Sequence, residues 1–200
     1  MADKIVIASN NAHKIDEFKR ITSTLDIEVI SARDAGLDFS AVEETGSSFA
    51  ENSYIKAMFA FNQTGLPSIA DDSGLCVDAL NGRPGIYSAR YGGESSTDSE
   101  KIDLLLSELA DVEKEYRTAH FICSICCVVN ADDIITAEGK CEGYIGFEKK
   151  GSNGFGYDPV FYLENGKSFA ELSDSQKDIY SHRGNALRKF YDLLKERKIY

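Results

Sequence analysis

The stretch FICSICCVV, residues 121–129, is the feature that most restricts how this chain can fold. Side chains of a strand alternate between the two faces of a sheet, so an almost uninterrupted apolar run needs cover on both faces. We therefore predict a central strand over residues 117–130. Cys123 and Cys126 have the spacing of a zinc or redox pair, but no second pair follows, and a core strand is the favoured interpretation.

The segments around this strand predict an α/β fold with a mixed sheet and flanking helices. Short apolar runs predict further strands at residues 4–9, 27–30, 67–70, 133–139 and 141–148. Helical spacing of apolar residues predicts helices at 12–25, at 48–64 and at the C-terminus, and capping boxes open two more at Thr97 and Ser173. Strand, helix and strand at the start, with consecutive strands later, indicate a mixed sheet and not a purely parallel one. We expect one domain over residues 1–200.

Composition and charge exclude several classes of protein. An apolar stretch of about 18 residues is absent, which argues against a membrane-spanning helix, and the N-terminal apolar run is too short for a secretory signal. The net charge of −11 argues against nucleic-acid binding. A small phosphorylated ligand would need cations gathered locally, together with a metal. We expect the five cysteines to be reduced, buried thiols of a cytoplasmic protein.

Residues 9–14, SNNAHK, lie where a predicted strand ends and a predicted helix begins. The free N–H groups and the dipole at the start of a helix attract anions. Ser9 and Asn11 can donate to a phosphate, and Lys14 can reach it from the first helical turn. An Asn helix cap beside a solvated lysine explains the same residues equally well, and the chain contains no P-loop motif.

The stretch IADDSGLCVDAL, residues 69–80, sets two carboxylates side by side after an apolar run. If the strand reaches them, Asp71 and Asp72 project to opposite faces, and only one need enter a site. Ser73 adds a hydroxyl and Gly74 leaves room for a ligand. Oxygen ligands of this kind suit Mg²⁺. For these four residues alone, however, a turn is the favoured interpretation.

Further motifs carry acidic, aromatic and cationic groups. Glu43-Glu44 upstream and Lys56 could complete a metal–phosphate site, although a charged helix start accounts for them as well. The loop NGFGYDPVF, residues 153–161, can stack an aromatic ring on a planar base and accept a hydrogen bond from its edge. The stretch KDIYSHRGNAL, residues 177–187, supplies donors suited to a carbonyl and a ring nitrogen.

In this order along the chain, the motifs resemble those of the inosine/xanthosine triphosphate pyrophosphatase family. The matching stretches are S-x-N-x-x-K at 9–14, EETG at 43–46 with Lys56 downstream, ADDSGL-x-VDAL with G-x-PG-x-YSARY at 70–91, GFGYDP at 154–159 and SHRG-x-AL at 181–187. The resemblance implies an elongated, two-lobed fold with a central cleft, and a homodimer. It also implies Mg²⁺-dependent cleavage of noncanonical purine nucleotides (ITP, dITP and XTP) between the α and β phosphates, with release of monophosphate and pyrophosphate.

The resemblance assigns roles residue by residue. Phosphates and sugar would be held by Ser9, Asn10, Asn11, Ala12, His13 and Lys14, with Lys56 adding charge and Ser73 touching substrate. The base would be held by Phe155, Gly156, Tyr157, Asp158, Lys177, His182 and Arg183. Glu44 and Asp72 match metal ligands, and Asp72 also matches the general base, whereas we expect Asp71 to be supportive. The chain departs from the family pattern at Asn10 and at His13, where many relatives carry glycine.

Three alternatives are weighed against this interpretation of the sequence. A related pyrophosphatase for modified pyrimidine nucleotides would share the fold class, although SHRG and GFGYDP fit the purine family better. A nucleotide-binding module without hydrolysis would lack an intact base and metal pair, and both are present here. A plain structural or interaction protein would leave the five motifs unexplained. Incubation with ITP, XTP, ATP and GTP plus Mg²⁺, followed by identification of the products, settles most of the choice.

Overall fold

The computed structural model describes residues 4–23, 28–39 and 42–197. The helices are α1 (Ala12–Ile21), α2 (Phe49–Thr64), α3 (Asp98–Glu108), α4 (Asp174–Tyr180) and α5 (His182–Glu196). The strands are β1 (Lys4–Ile7), β2 (Glu28–Ser31), β3 (Ser68–Val77), β4 (Thr118–Asn130), β5 (Asp133–Ile145) and β6 (Phe161–Tyr162). No helix of the described ranges is long and apolar enough to cross a membrane.

One mixed sheet contains all of these strands, in the order β2-β1-β3-β4-β5-β6. Strand β1 is parallel to β2 and to β3, with Val6 opposite Ser68 and Ile7 opposite Ile69 in the second pair. Strand β6 is antiparallel to β5. The prediction of an α/β fold with a mixed sheet is therefore confirmed, and β4 holds an interior position as its apolar run requires.

Two predictions about the strands were wrong. The DDSG stretch is not a turn, because β3 continues through it to Val77. Both carboxylates have cationic partners on their own side of the strand, so the two charges do not force the backbone to turn. The segments 133–139 and 141–148 form one strand ending at Ile145, since buried and exposed residues keep alternating through Lys140. Helix α1 ends at Ile21, and part of its predicted extension lies outside the described residues.

Contacts divide the chain into two compact units. Unit 1 comprises Met1–Asp72, Cys123–Gly139 and Arg183–Tyr200. Its apolar residues form two clusters: Ile7 and Ile125 belong to one, whereas Val6 and Cys126 belong to the other. Because neighbouring positions of β1 and of β4 fall into different clusters, both faces of these strands are covered. The interpretation of residues 121–129 as a core strand is confirmed here for residues 123–129, which lie in this unit.

Unit 2 comprises Ser73–Ile122 and Lys140–His182. Its core contains three phenylalanine rings, and the ring of Phe161 lies 4.7 Å from that of Phe121 and 4.8 Å from that of Phe169, both edge to face. Helices α3 and α4 begin at the two predicted capping boxes. All five cysteines of the chain are buried and free, which confirms the prediction of buried thiols.

Candidate active site

Asp71 and Asp72 are consecutive residues of β3 whose carboxylates contact different cations. Asp71 Oδ2 lies 3.1 Å from Lys14 Nζ and 3.2 Å from Arg183 Nη2. Asp72 Oδ1 lies 3.2 Å from Lys56 Nζ. This separation is the alternation expected once the strand reaches both residues. The two carboxylates therefore belong to two separate clusters of unit 1.

The first cluster joins α1, β3 and α5. Arg183 Nη1 donates to Glu17, while Nε and Nη2 both donate to Asp71 Oδ2 at 3.2 Å. The side chains of Arg183 and Glu17 are only 3% and 8% exposed, so these charges are shielded from water. With Lys14 included, the cluster contains two cations and two carboxylates, so its net charge is zero. Charges can be buried when they are paired in this way.

The pKa shifts in this cluster follow from its charges. Burial would raise the pKa of the Asp71 carboxyl, but the positive charges of Lys14 and Arg183 outweigh burial and hold it well below its usual range. Burial would lower the pKa of the Arg183 guanidinium, but Asp71 and Glu17 raise it instead. Asp71 therefore stays ionised and is committed to its partners, in agreement with a supportive role.

The second cluster places one ammonium between two carboxylates. Lys56 Nζ lies 2.7 Å from Glu44 Oε1 and 3.2 Å from Asp72 Oδ1, and the side chains of Lys56 and Asp72 are about nine-tenths buried. Burial alone would lower the pKa of Lys56, but the negative charges of Asp72, Asp71 and Glu44 outweigh burial and raise it. The ammonium therefore stays charged. Burial raises the pKa of Asp72 against the opposing effect of Lys56. A carboxylate with a raised pKa is a better proton acceptor.

The same cluster is the place where a divalent cation would fit. Among the described residues, no group of three or more His, Cys, Asp or Glu side chains could hold a metal. Mg²⁺, however, is usually bound by one or two carboxylates and completes its shell with water and substrate phosphates. Glu44 and Asp72 both contact the same ammonium nitrogen, so both carboxylates face one position that already holds a positive charge. The donor set fits Mg²⁺, whose presence stays a prediction.

Residues 9–14 form the junction between β1 and α1. Asn11 is the N-cap of α1, and its side chain accepts a hydrogen bond from the Lys14 backbone N–H at 3.2 Å. Ser9 Oγ accepts from the Asn11 N–H at 3.1 Å. The capping interpretation of Asn11 is thus confirmed. Asn10, Asn11, Ala12 and His13 are exposed, and phosphate binding by this segment stays a prediction.

In unit 2, the GFGYDP loop is organised by Asp158. Its Oδ2 accepts from the Phe155 N–H at 2.9 Å and from Lys177 Nζ at 2.7 Å. The Lys177 ammonium also lies 4.5 Å from the centre of the Phe155 ring. Gly154 has φ +75° and an added Cβ would lie 1.9 Å from Asp158 Oδ2, so only glycine permits this approach. The structure therefore brings Phe155, Asp158 and Lys177 together.

The other predicted residues of unit 2 have mainly buried positions. Tyr157 is buried and its hydroxyl donates to the Ser88 carbonyl at 2.9 Å, which joins the GFGYDP loop to the YSARY stretch. The His182 ring stacks on Phe121 at 4.6 Å between centres. The Gly156 N–H donates to Asp98 Oδ2 at 2.8 Å. Ser73 is half-buried in β3. Their contacts with a nucleotide stay predictions.

Comparison with known proteins identifies the family. The model of the Ham1 family matches residues 5–193. The chain belongs to the Ham1 family. A dITP/XTP pyrophosphatase from Haemophilus influenzae is 48% identical over 190 residues, covering 94% of this chain and 96% of that protein. One of the same name from Clostridium perfringens is 46% identical over 199 residues, covering 96% and 97%.

Solved Ham1 structures share the fold. The Ham1 protein of Staphylococcus aureus superposes with a TM-score of 0.87 at 44% identity, covering 97% of this chain and 99% of that one. A HAM1 protein from Coxiella burnetii gives a TM-score of 0.88 at 41% identity, covering 96% and 98%. The family resemblance inferred from the ordered motifs is confirmed.

Two residues of this Ham1 chain contact the clusters although sequence reasoning missed them. Asn52 Nδ2 donates to Asp72 Oδ2 at 3.1 Å, and Glu17 accepts from Arg183. A signal for Asn52 was present, because it lies four residues before Lys56 in a predicted helix and so shares its face. Glu17 lies three residues after Lys14, which offered a weaker signal of the same kind.

Proposed function

We propose that this Ham1-family chain hydrolyses noncanonical purine nucleoside triphosphates (ITP, dITP and XTP) to the monophosphate and pyrophosphate. The observation that carries the proposal is the Glu44–Lys56–Asp72 cluster, in which one ammonium lies between two carboxylates. The relatives named dITP/XTP pyrophosphatases support the choice of substrate and reaction. Such an enzyme removes these nucleotides from the nucleotide pool.

In the proposed reaction, water attacks the α-phosphorus while the bond to the bridging oxygen of the β-phosphate breaks. Asp72 accepts the proton of this water as general base. Lys56 and Lys14 offer positive charge to phosphate oxygens on a chain whose net charge is −11. Backbone N–H groups of residues 9–14 at the start of α1 add donors for the same anion.

Magnesium is part of the proposal, with Glu44 and Asp72 as its protein ligands. When bound, Mg²⁺ would supply positive charge that stabilises the phosphate oxygens. Lys56 limits the repulsion between the two carboxylates, because it contacts both of them. Removing the metal and restoring it tests this assignment.

We assign recognition of the base to the residues that the family resemblance gives this role, among them Phe155, Lys177, His182 and Arg183. The Phe155 ring offers a stacking surface, which any purine can use. Lys177 and His182 are donors suited to the carbonyl that hypoxanthine and xanthine, the bases of ITP and XTP, carry where adenine has an amine. Asp158 holds the Lys177 ammonium beside Phe155 and so fixes its position. We further propose a homodimer in the cytoplasm; the buried free thiols support the compartment.

The deciding experiment identifies the products. The protein is incubated with ITP, XTP, dITP, ATP and GTP in the presence of Mg²⁺, and products are separated by ion-exchange chromatography. We expect IMP and pyrophosphate from ITP, with much slower turnover of ATP. Release of IDP and orthophosphate would show a γ-phosphatase and would contradict the proposal. Tight binding of ITP without any turnover would identify a nucleotide-binding module instead.

A further inference from the structure

Asn52 is a buried polar residue in the first half of α2 that the motif comparison does not single out. Its side chain is 0% exposed, yet both of its polar atoms have partners. Nδ2 donates to Asp72 Oδ2 at 3.1 Å, and Oδ1 accepts from the Gly46 backbone N–H at 2.8 Å. One amide therefore connects the proposed general base with the EETG loop, residues 43–46.

The glycine of the EETG loop makes this connection possible. A Cβ added at Gly46 would lie 2.6 Å from Asn52 Oδ1 and 2.9 Å from the Asn52 backbone nitrogen, both too close for a side chain. The loop thus approaches α2 closely at Gly46, two residues after Glu44. Asn52 accepts the hydrogen bond at the point of closest approach, so its amide fixes the loop against the helix.

The two oxygens of the Asp72 carboxylate are held by two different donors of the same helix face. Lys56 Nζ contacts Oδ1 and Asn52 Nδ2 contacts Oδ2, and residues four apart in a helix are neighbours on its surface. With both oxygens held, rotation of the carboxylate about its last torsion angle is restricted. Lys56 could hold one oxygen alone, but only the second contact defines the plane of the group.

We propose that Asn52 is a positioning residue that sets the orientation of the Asp72 carboxylate and, through Gly46, the position of the EETG loop that carries Glu44. The inference rests on the proposed function, because it concerns the chemistry of that same cluster. Asn52 itself need not touch the nucleotide. Its loss should therefore lower the rate of the chemical step while leaving nucleotide binding intact, which a general loss of folding would not do.

Two substitutions separate the two hydrogen bonds. Asn52→Asp keeps an acceptor for the Gly46 N–H but replaces the amide donor to Asp72 by a second carboxylate, whereas Asn52→Leu removes both polar atoms at similar size. Ser53→Ala is the matched control, because Ser53 is the next buried residue of α2 and its hydroxyl donates to the Ala50 carbonyl instead. The measurements are kcat for pyrophosphate release from ITP, the Kd of an α,β-methylene analogue of ITP with Mg²⁺, and the thermal unfolding midpoint.

We expect kcat to fall about 10²-fold in both Asn52 variants, the loss typical of a catalytic group displaced by roughly 1 Å. The analogue should bind Asn52→Leu within about threefold of the unchanged protein, and Ser53→Ala should retain kcat. If Asn52→Leu does not fold, the kcat of Asn52→Asp decides the question.

A kcat for Asn52→Asp within about threefold of the unchanged protein would overturn the inference, because the acceptor to Gly46 would then suffice. A loss confined to the Kd of the analogue in Asn52→Leu would overturn it too. A different result would contradict the proposed function. If the unchanged protein and Ser53→Ala release no pyrophosphate, the function is wrong and the inference falls with it.

Discussion

Arg183 donates to the Asp71 carboxylate from two nitrogens, Nε and Nη2, each 3.2 Å from the same oxygen. Its third nitrogen donates to Glu17, so the whole guanidinium fork is directed at two carboxylates of unit 1. This arrangement joins α1, β3 and α5 through buried charges. Arg183 therefore has a structural task in addition to the base-binding task that the family resemblance assigns to it.

The first prediction concerns stability. Arg183→Ala leaves Glu17 and Asp71 buried with only Lys14 to compensate them, and breaking a buried ion pair costs about 3–5 kcal/mol. We expect the free energy of unfolding in urea to fall by that amount. Arg188→Ala is the control, since Arg188 is an exposed residue of the same helix and its loss should change stability by less than about 0.5 kcal/mol. Equal stability of the two variants would contradict this account of the cluster.

The cysteines give a prediction about pH. Burial raises the pKa of Cys126 to about 11 and, together with Glu142, that of Cys141 to about 12. A raised thiol pKa keeps the unreactive protonated form, so reactivity should appear only as the pH approaches these values. With iodoacetamide at about pH 8, we expect mass spectrometry to detect almost no label on the native protein and five labels after unfolding in urea. Native labelling as fast as that of free cysteine would contradict the prediction.

The parts of the fold that were predicted correctly depend on local patterns. The apolar run of residues 121–129 indicated a strand covered on both faces, and the capping boxes at Thr97 and Ser173 marked helix starts. These signals reflect backbone hydrogen bonds and burial of nearby side chains, which a short window contains. The continuation of β3 through Asp71 and Asp72 was missed because the compensating cations come from α1, α2 and α5, far away in sequence.

The candidate site, like the fold, has a part that the sequence predicted and a part that it could not predict. The motifs identified Glu44, Lys56 and Asp72, and the structure brings these three together. The sequence could not show that Arg183 contacts Asp71, since 112 residues separate them. A long-range ion pair leaves no periodic pattern in the chain. The role of Asp71 was therefore expected only in general terms as support, while its partners came from the tertiary structure.

The two adjacent carboxylates should respond differently to loss of charge. Asp72→Asn keeps the shape of the side chain but removes the proton acceptor, so we expect kcat for ITP to fall by about 10²–10⁴-fold with little change in stability. Asp71→Asn should have the smaller effect on kcat and the larger effect on the urea midpoint, because Lys14 then loses its carboxylate partner and Arg183 keeps only Glu17. Similar, mild losses of kcat in both variants would show that Asp72 is not the general base.

Removal of the metal tests the proposed magnesium site. EDTA should abolish pyrophosphate release from ITP, and excess Mg²⁺ should restore it. Glu44→Gln should raise the Mg²⁺ concentration needed for half-maximal activity by at least about tenfold, the loss typical of residues that merely support a metal ligand. Glu43→Gln is the matched control, because Glu43 is the exposed neighbour. Full activity in EDTA, or equal behaviour of the two variants, would contradict the assignment.

The last prediction concerns how ITP is distinguished from ATP. The purine of ITP has a carbonyl, which accepts hydrogen bonds, at the position where ATP has an amine, which donates them. Lys177 is a donor held beside Phe155 by Asp158. It can therefore donate a hydrogen bond to the carbonyl of ITP, whereas the amine of ATP is a donor itself and cannot accept that bond. A hydrogen bond to a charged group contributes about 1.5–3 kcal/mol. We therefore expect Lys177→Met to lower the ratio of kcat/KM for ITP over ATP by at least about tenfold.

The comparison of substrates within one variant removes effects that both substrates share. Lys177→Met also takes the cation away from Asp158, but that change lowers both kcat/KM values and cancels in the ratio. Phe155→Ala should lower both values similarly, because stacking does not distinguish the two purines. Lys167→Met, which alters an exposed lysine of the same unit, should leave both unchanged. The ratio for Arg183→Ala tests its assigned contact with the base in the same assay. An unaltered ratio in Lys177→Met would show that this ammonium does not read the carbonyl.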